Sequence, residues 1–150
     1  MTPVVTLVDL DKGNWYAAAR LKVAPGQETF VADNLTTIAE SQFYPWVQRK
    51  VIMADGEIVG LAAYGQEPGE SELWLQRFMI AGDHQRKGIG REALRQLLGI
   101  WKAIPGLTAI KLSYEPDNAV AEALYASAGF VPGEIAEWGE RVATLDLTAR

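Results

Sequence analysis

The stretch that decides the fold is Gln85-Arg86-Lys87-Gly88-Ile89-Gly90, because it joins two segments of different periodicity. Residues 72–80 before it alternate as a strand does, whereas residues 88–102 carry apolar side chains at helical spacing. Two glycines at a strand-to-helix turn let the backbone approach a ligand closely. The first amides of a helix lack intrahelical partners and lie at the positive end of the helix dipole, so they favour phosphate. The stretch therefore predicts an anion site, to which Arg86, Lys87 and Arg91 add positive charge.

The glycine pair is compatible with three kinds of turn. A nucleotide-binding P-loop requires Gly-Lys-Ser/Thr, and it is excluded because Gly90 is followed by Arg91 and Glu92. A dinucleotide fingerprint matches residues 88–93, and Glu115 lies near the distance at which a ribose-binding acid is expected. Too little chain follows, however, for the doubly wound sheet that a dinucleotide spans. The third kind is a turn that binds phosphate in another type of fold.

The segments on either side of this stretch predict a mixed sheet with helices on its faces. An Asp55-Gly56 pair between two apolar runs predicts a hairpin, and Asp11 and Asp33 are expected to cap the first two helices. The predicted strands are 4–8, 47–54, 57–64, 72–80, 107–113, 130–135 and 140–147, and the predicted helices are 11–20, 33–42, 88–102 and 118–127. Strict alternation along 72–80 puts Leu73, Leu75 and Arg77 on one face and Trp74, Gln76, Phe78 and Ile80 on the other.

The composition excludes several classes of function. The chain has no cysteine, so disulfides, thiolate nucleophiles and cysteine-ligated metals are excluded, and no metal site is predicted. A net charge of −5 argues against a nucleic-acid partner, which requires a basic surface. No apolar run reaches membrane-spanning length, and the first residues lack the pattern of a signal peptide. We therefore expect one cytoplasmic domain over residues 1–150, without a membrane or nucleic-acid partner.

Two motifs resemble signatures of the GNAT superfamily of N-acetyltransferases. The Gln-x-x-Gly-x-Gly pattern of residues 85–90 is similar to the superfamily's motif for the diphosphate of coenzyme A. Residues 118–130 fit the second signature, N-x-x-A-x-x-L-Y-x-x-x-G-F. Taken singly, each motif is better explained as a structural turn or a half-buried tyrosine, but the two together are far more specific. The resemblance implies an α/β (α+β) fold with a central mixed, mostly antiparallel sheet of about seven strands, helices on both faces, and acetyl-CoA as cofactor.

Further stretches are similar to bacterial polyamine (spermine/spermidine) N-acetyltransferases. They are residues 21–25, 27–28, 30–32, 77–80 and 112–116. This closer similarity implies that a primary amine, a polyamine or diamine, attacks the thioester directly. The alternatives are another acceptor, such as an amino acid, an aminoglycoside or a protein amine, and a catalytically idle acyl-CoA-binding domain. Paired C-terminal strands in this superfamily often form dimers, so a homodimer is also an expectation.

The resemblance also implies which residues hold the cofactor. The backbone of Phe78, Met79 and Ile80 would bind the pantetheine arm, and an amide near Met79 would polarise the thioester carbonyl. Tyr125 matches the position of the general acid, and a phenol pKa of about 10 suits proton donation to a leaving thiolate. The other implied cofactor contacts are Gln85, Arg86, Lys87, Gly88, Ile89, Gly90, Arg91, Asn118 and Ala121.

The motifs do not identify a general base. Many relatives carry a glutamate on the strand before the first motif, but here the inward-facing residue is Gln76, which cannot accept a proton. Glu72, Glu115 and a chain of water molecules remain as alternatives. On the acceptor side, Gln76 would contact the amine, and the cation and its methylenes would be met by acidic and aromatic residues, namely Glu28, Asp33, Glu40, Tyr44 and Trp46. The alternative is that these acids only cap and solvate a helix.

Overall fold

The computed structural model describes residues 2–30 and 32–148 of the chain. Val31, which belongs to the polyamine-like stretch 30–32, lies outside the described residues. The strands are β1 (Val5–Asp9), β2 (Val47–Ala54), β3 (Glu57–Gly65), β4 (Glu72–Ile80), β5 (Ala109–Tyr114), β6 (Val131–Ile135) and β7 (Arg141–Asp146). The helices are α1 (Trp15–Ala19), α2 (Asn34–Ser41), α3 (Ile89–Lys102) and α4 (Ala119–Ser127), with a short 3-10 turn at Gly82–His84.

The seven strands form one sheet in the order β1-β2-β3-β4-β5-β7-β6. Neighbouring strands are antiparallel except β4 and β5, which are parallel. The predicted mixed, mostly antiparallel sheet and the predicted element order are therefore confirmed. None of the helices in the two described ranges has the length and apolarity needed to cross a bilayer.

Apolar side chains are buried on both faces of the sheet, as the prediction of helices on both faces requires. The larger cluster lies under α3 and α4, where α3 contributes Leu94, Leu97 and Trp101. The smaller cluster lies under α1 and α2 and includes Ile38 and Met79. Since burying a side chain of this size contributes about 1.5–3 kcal/mol, packing on the larger cluster is what fixes α3 against the sheet.

A bulge in β4 positions the candidate site. It also makes the predicted strict alternation along residues 72–80 wrong. Arg77 pairs with Ala63 and Leu75 pairs with Tyr64, so Gln76 is an extra residue on β4. The extra residue reverses the alternation that the sequence predicts, because Ile80 now packs in the same cluster as Leu75. Phe78 also packs against that cluster, whereas Met79 lies in the cluster on the other face.

The strands β4 and β5 separate directly after the bulge begins. Their pairing runs only from Glu72 with Ala109 to Leu75 with Leu112. Beyond Leu75, the edge of β4 that faces β5 has no strand partner among the described residues. The sheet is therefore open between the C-terminal halves of these two strands.

The first helix is shorter than predicted. The Asp11 carboxylate accepts hydrogen bonds from the amides of Gly13 (2.8 Å) and Asn14 (3.0 Å), which closes a turn instead of capping a helix. The helix α1 begins only at Trp15, so the predicted range 11–20 is wrong at its start. The strand β5 likewise begins two residues later than predicted, at Ala109.

Candidate active site

The turn between β4 and α3 is fixed by the side chain of Gln85. Its Nε2 donates to the carbonyl oxygen of Ile80 (2.9 Å) and to Oε1 of Gln27 (2.8 Å). Gln27 donates in return to Oε1 of Gln85 (3.2 Å), so the loop before α2 is tied to the end of β4. The side-chain amide of Gln85 is thus engaged in hydrogen bonds to Gln27 and Ile80. Gln85 therefore contributes to the site by stabilising the turn.

The first turn of α3 presents free backbone amides. Arg86 and Gly88 have φ angles of 64° and 81°, and this left-handed backbone turns the chain into the helix. The first backbone bond of α3 is donated by Glu92 to Gly88 (3.1 Å). Within the described residues, the amides of residues 89–91 have no partner. A Cβ atom added at Gly88 would meet nothing within 4 Å, so the outer side of this turn is open.

The predicted anion-site residues differ in which of their groups are accessible to a ligand. Arg86 and Lys87 are exposed at the turn. The guanidinium of Arg91 is exposed and donates to the hydroxyl of Ser127 on α4 (3.2 Å). The side chain of Ile89 is buried in the larger cluster, so only its amide is available.

The helix start and the open sheet edge meet at Gly90. A Cβ atom there would contact Ile80 at 3.6 Å, Phe78 at 3.9 Å and Leu124 of α4 at 4.0 Å. Met79 is buried and receives a hydrogen bond on its sulfur from Asn34 (3.3 Å), so only its backbone faces the open edge. The open edge of β4 beyond Leu75 and the unpaired amides of residues 89–91 therefore lie close together.

A cavity of about 860 Å³ passes through the gap between β4 and β5. Its lining includes Ala121 and Tyr125, which lie on the α4 side of the sheet. It also includes Tyr44 and Trp46, which follow α2 on the other side. A ligand that enters from one face of the sheet can thus meet a ligand that enters from the other.

Tyr125 lines this cavity from within the larger cluster. Its ring stacks on Tyr114 (6.0 Å between centroids, 27° between planes) and meets the edge of Phe130 at 5.9 Å. Burial raises the pKa of the Tyr125 phenol, and the neighbouring Tyr114 raises it further. The hydroxyl makes no hydrogen bond to the described residues, so its proton is available to a ligand. Asn118 also lines the cavity, and its side chain caps α4 by accepting from the amide of Ala121 (3.1 Å).

The α2 side of the cavity is rich in acidic and aromatic side chains. Glu40 pairs with Arg77 (3.6 Å), and Glu140 accepts from the hydroxyl of Ser113 (2.7 Å). Further lining residues on this side include Phe30, Glu67, Trp74, Gln76 and Trp138, in addition to Tyr44 and Trp46. No group of three or more Asp, Glu or His side chains in residues 2–30 and 32–148 is arranged to hold a metal ion.

Sequence reasoning and the structure differ on the acceptor side. Tyr44 and Gln76 line the cavity, whereas Glu28 and Glu115 do not. The Glu28 carboxylate accepts from the amide of Gly26 (2.9 Å) instead. Sequence reasoning missed Glu140, because its contact with Ser113 joins residues 27 positions apart and no local motif marks it.

Comparison with known proteins assigns this architecture to a family. The family model described as Acetyltransferase (GNAT) family matches residues 12–130, and the chain therefore belongs to this family. The spermine/spermidine N(1)-acetyltransferase of Bacillus subtilis (strain 168) is 28% identical over 141 residues, which cover 89% of this chain and 93% of that protein. A probable spermine N(1)-acetyltransferase of Bacillus subtilis subsp. natto matches with the same identity and coverage.

Solved structures share the fold at lower identity. The spermidine N-acetyltransferase of Vibrio cholerae, in complex with CoA and spermine, superposes with a TM-score of 0.76 at 20% identity, covering 96% of both chains. An aminoglycoside acetyltransferase in complex with coenzyme A superposes with a TM-score of 0.78 at 19% identity, covering 97% of this chain and 96% of that one. The chain is thus an N-acetyltransferase that uses acetyl-CoA to acetylate an amine, and the predicted enzyme class and cofactor are confirmed.

Proposed function

We propose that this enzyme acetylates a primary amine of a polyamine or related diamine. The observation that carries the proposal is the cavity on the α2 side of the gap, which combines carboxylates with aromatic walls. Two relatives whose names specify spermine or spermidine as acceptor match over 89% of the chain, and this supports the same substrate class.

The charges of the cavity favour a cationic acceptor. Glu40, Glu67 and Glu140 line it against a single guanidinium, that of Arg77, so three negative charges and one positive charge leave −2. Tyr44 packs edge-on against Trp46 with ring centroids 5.6 Å apart. Aromatic faces of this kind attract ammonium groups and cover the methylenes between them.

A second aromatic pair closes the cavity on the side of the loop between β6 and β7. Trp138 of that loop meets Trp74 of β4 edge-on, with ring centroids 6.4 Å apart. An acceptor with several methylenes therefore has apolar surface on two sides, and its ammonium groups have carboxylates. This combination suits a polyamine better than a single amino acid.

The residues on the α4 side of the gap fit the donor. Acetyl-CoA supplies an acetyl thioester when it is bound. The free amides of Lys87, Gly88, Ile89, Gly90 and Arg91 would bind its diphosphate, with the side chains of Arg86, Lys87 and Arg91 adding charge. The backbone of Phe78–Ile80 would hold the pantetheine arm along the open edge of β4, and the amide near Met79 would polarise the thioester carbonyl. Asn118 and Ala121 would contact the arm from α4, and Gln85 would keep the turn in place.

Tyr125 is proposed as the general acid. The phenol is protonated at neutral pH, as any tyrosine whose pKa is not lowered is, and it lies on the donor side of the cavity. It would therefore give its proton to the sulfur that leaves when the amide forms. The enzyme needs this step because a free thiolate is a poorer leaving group than a thiol.

A cytoplasmic location and a homodimer are further parts of the proposal. The cysteine-free, acidic composition suits the reducing cytoplasm, where a polyamine substrate would be met. The strand β6 lies at the edge of the sheet and all five of its residues are exposed, which leaves that edge free for a second copy. Sedimentation equilibrium of the protein alone tests the dimer, and a monomer at micromolar concentration would contradict it.

An amine panel tests the acceptor. The protein is mixed with acetyl-CoA and spermine, spermidine, putrescine, an aminoglycoside or free amino acids, and free thiol is followed with time. We expect rapid release with the polyamines and little with the other amines. Thiol release only with an aminoglycoside or an amino acid would identify that amine as the acceptor and contradict the polyamine proposal. Tight coenzyme A binding without release on any amine would identify an idle acyl-CoA-binding domain.

A further inference from the structure

We propose that Glu140 is the residue that takes the proton from the acceptor amine, and that Ser113 positions it. The inference deepens the proposed function, on which it rests for the entry of the acceptor from the α2 side of the gap. An alkylamine is mostly protonated at neutral pH, so a proton must leave the nitrogen before it attacks. Gln76, at the bulge in β4, cannot accept that proton.

The other carboxylates near the site are less suited to this role. Glu115 does not line the cavity, and Glu72 pairs with Lys111 (3.3 Å) at the far end of β4. Glu40 is already compensated by Arg77. Glu67 is exposed on the loop after β3, and its carboxylate has no hydrogen-bond partner in the described part of the chain to fix its position.

Glu140, in contrast, is held at the edge of the gap. Ser113 is the first residue of β5 beyond its last pair with β4, Leu112 with Leu75. Its hydroxyl donates to Oε1 of Glu140 (2.7 Å) and accepts from the indole N–H of Trp138 (3.4 Å). One carboxylate oxygen is thus oriented by the protein, and no basic side chain in the described ranges lies within ion-pair distance of Glu140.

The acid and the base reach the gap from opposite faces of the sheet. Successive residues of a strand point to opposite faces, so Ser113 faces away from the side on which its neighbour Tyr114 stacks with Tyr125. Glu140 therefore lies on the acceptor side, while Tyr125 lies on the donor side. Removal of the first proton from the nitrogen and proton delivery to the sulfur consequently use separate groups.

The reaction removes two protons from the nitrogen, of which one reaches water through Glu140 and the other returns to Tyr125. One N–H bond of the ammonium group breaks, and its proton moves to the Glu140 carboxylate. The freed electron pair of the nitrogen forms the C–N bond, and the C–S bond breaks as the sulfur takes the proton of Tyr125. The nitrogen loses a second proton, which restores the Tyr125 phenol, and Glu140 releases its proton to water.

The substitution Glu140→Gln tests the base, because an amide keeps an oxygen for Ser113 but cannot accept a proton. With spermidine at pH 7 we expect kcat to fall by about 10²-fold or more, while the affinity for coenzyme A is unchanged. The rate of the variant should rise with pH as the free amine fraction increases. Glu137→Gln is the matched control, since Glu137 is exposed in the same loop and does not line the cavity. It should behave like the wild type.

A weakly basic acceptor, such as a fluorinated alkylamine that is neutral at pH 7, separates a base from a structural residue. We expect the deficit of Glu140→Gln relative to wild type to disappear with this acceptor. Ser113→Ala should lower kcat with spermidine less than Glu140→Gln does, and Ser113→Thr, which keeps the hydroxyl, should restore it.

Each contrary outcome has a distinct meaning. A loss that is equal for the charged and the neutral acceptor would overturn the role of Glu140, as would a change confined to KM. Wild-type kcat of Glu140→Gln across the pH range would overturn it too, while leaving the acetylation of polyamines intact. If the wild type itself releases no thiol with any amine, the proposed function is wrong and the role of Glu140 falls with it.

Discussion

Tyr125 combines a buried ring with a hydroxyl that has no hydrogen-bond partner among the described residues. The ring is only 8% exposed and packs between Tyr114 and Phe130, and this burial is what raises the pKa of the phenol. The residue lines the cavity, and its hydroxyl has no hydrogen-bond partner among the described residues, so a ligand in the cavity can accept its proton.

The substitution Tyr125→Phe removes this proton and little else. We expect kcat to fall by about 10²-fold or more, since general acid catalysis typically contributes that much, and coenzyme A affinity to stay within about twofold. Because the folded pKa is raised, the phenol stays protonated beyond pH 10, so the wild-type rate should show no alkaline limb from this group below that pH. Steady-state rates and isothermal titration measure both quantities. Full activity of the variant would contradict the assignment.

Glu92 is a second residue whose charge has a structural effect. Its carboxylate accepts both Nε and Nη2 of Arg95 (2.7 and 2.6 Å) and Nε2 of Gln96 (3.0 Å). These hydrogen bonds lower the pKa of Glu92 to about 2. Gln96 also donates to the carbonyl of Val5 (2.8 Å), which ties α3 to β1.

The substitution Glu92→Gln should destabilise the protein in a pH-dependent way. A carboxylate whose pKa is lowered on folding stabilises the protein above its unfolded pKa of 4.5, and this contribution is lost as the pH falls through about 2. We expect a loss of about 1 kcal/mol at pH 7, since the group is partly solvent-screened. Urea unfolding at pH 7 and at successively lower pH measures the difference, which should shrink below pH 4.5. A difference that does not depend on pH would contradict this explanation.

At the scale of secondary-structure elements, capping and turn residues allowed helix ends and the hairpin to be predicted from the sequence. Asp33 accepts from the amide of Thr36 (2.7 Å) at the start of α2, and Gly129, with a φ of 102°, follows the end of α4. The Asp55-Gly56 hairpin has the positive φ angles that its residues favour. Each of these signals depends on residues within four positions of one another, so local chemistry is sufficient to predict it.

The predictions failed where an element depends on distant partners. The bulge at Gln76 exists only in the pairing of β4 with β3, and no residue type within 72–80 signals it. The acceptor side of the cavity likewise joins α2, β4, β5 and the loop before β7. Asn118, Ala121 and Tyr125 could be predicted as candidate site residues because one motif contains all three within eight positions, whereas no local motif contains Glu140.

The start of α3 offers a test with a control in the same helix. At Gly88 a methyl group has open space, so Gly88→Ala should cost about 1–2 kcal/mol from the left-handed φ of 81° alone. Gly99 also has open space but lies within the helix, so Gly99→Ala should stabilise the protein by about 0.5–1 kcal/mol.

Coenzyme A affinity distinguishes the two substitutions further. If the turn binds the diphosphate, Gly88→Ala should weaken coenzyme A binding about tenfold or more through the displaced amides, and Gly99→Ala should leave it unchanged. Urea unfolding and isothermal titration of both variants give the comparison. Equal coenzyme A affinity in the two variants would show that the turn does not hold the cofactor.

At the scale of the whole molecule, the open gap divides the sheet into two parts. β1 to β4 form one part and β5 to β7 the other, and only four residues of β4, Glu72–Leu75, pair across the boundary. A cofactor in the gap would contact β4 and the start of α3 on one part and α4 on the other. Its binding should therefore couple the two parts more strongly than the sheet does alone.

Coenzyme A should consequently stabilise the protein and protect a defined set of amides. At a free concentration 100 times Kd, we expect the free energy of unfolding to rise by about 2.7 kcal/mol, because the ligand binds only the folded state. Hydrogen exchange should slow at amides within 88–91, which have no hydrogen-bond partner among the described residues, and at those amides of β4 beyond Leu75 that point away from β3. The amides of the β1–β2 pairing serve as the internal reference, since they lie three strands from the gap and should gain only the protection due to global stability. If exchange slowed equally in all strands, or if 88–91 stayed unprotected at saturation, coenzyme A would lie outside this gap and the two parts of the sheet would not be joined through it.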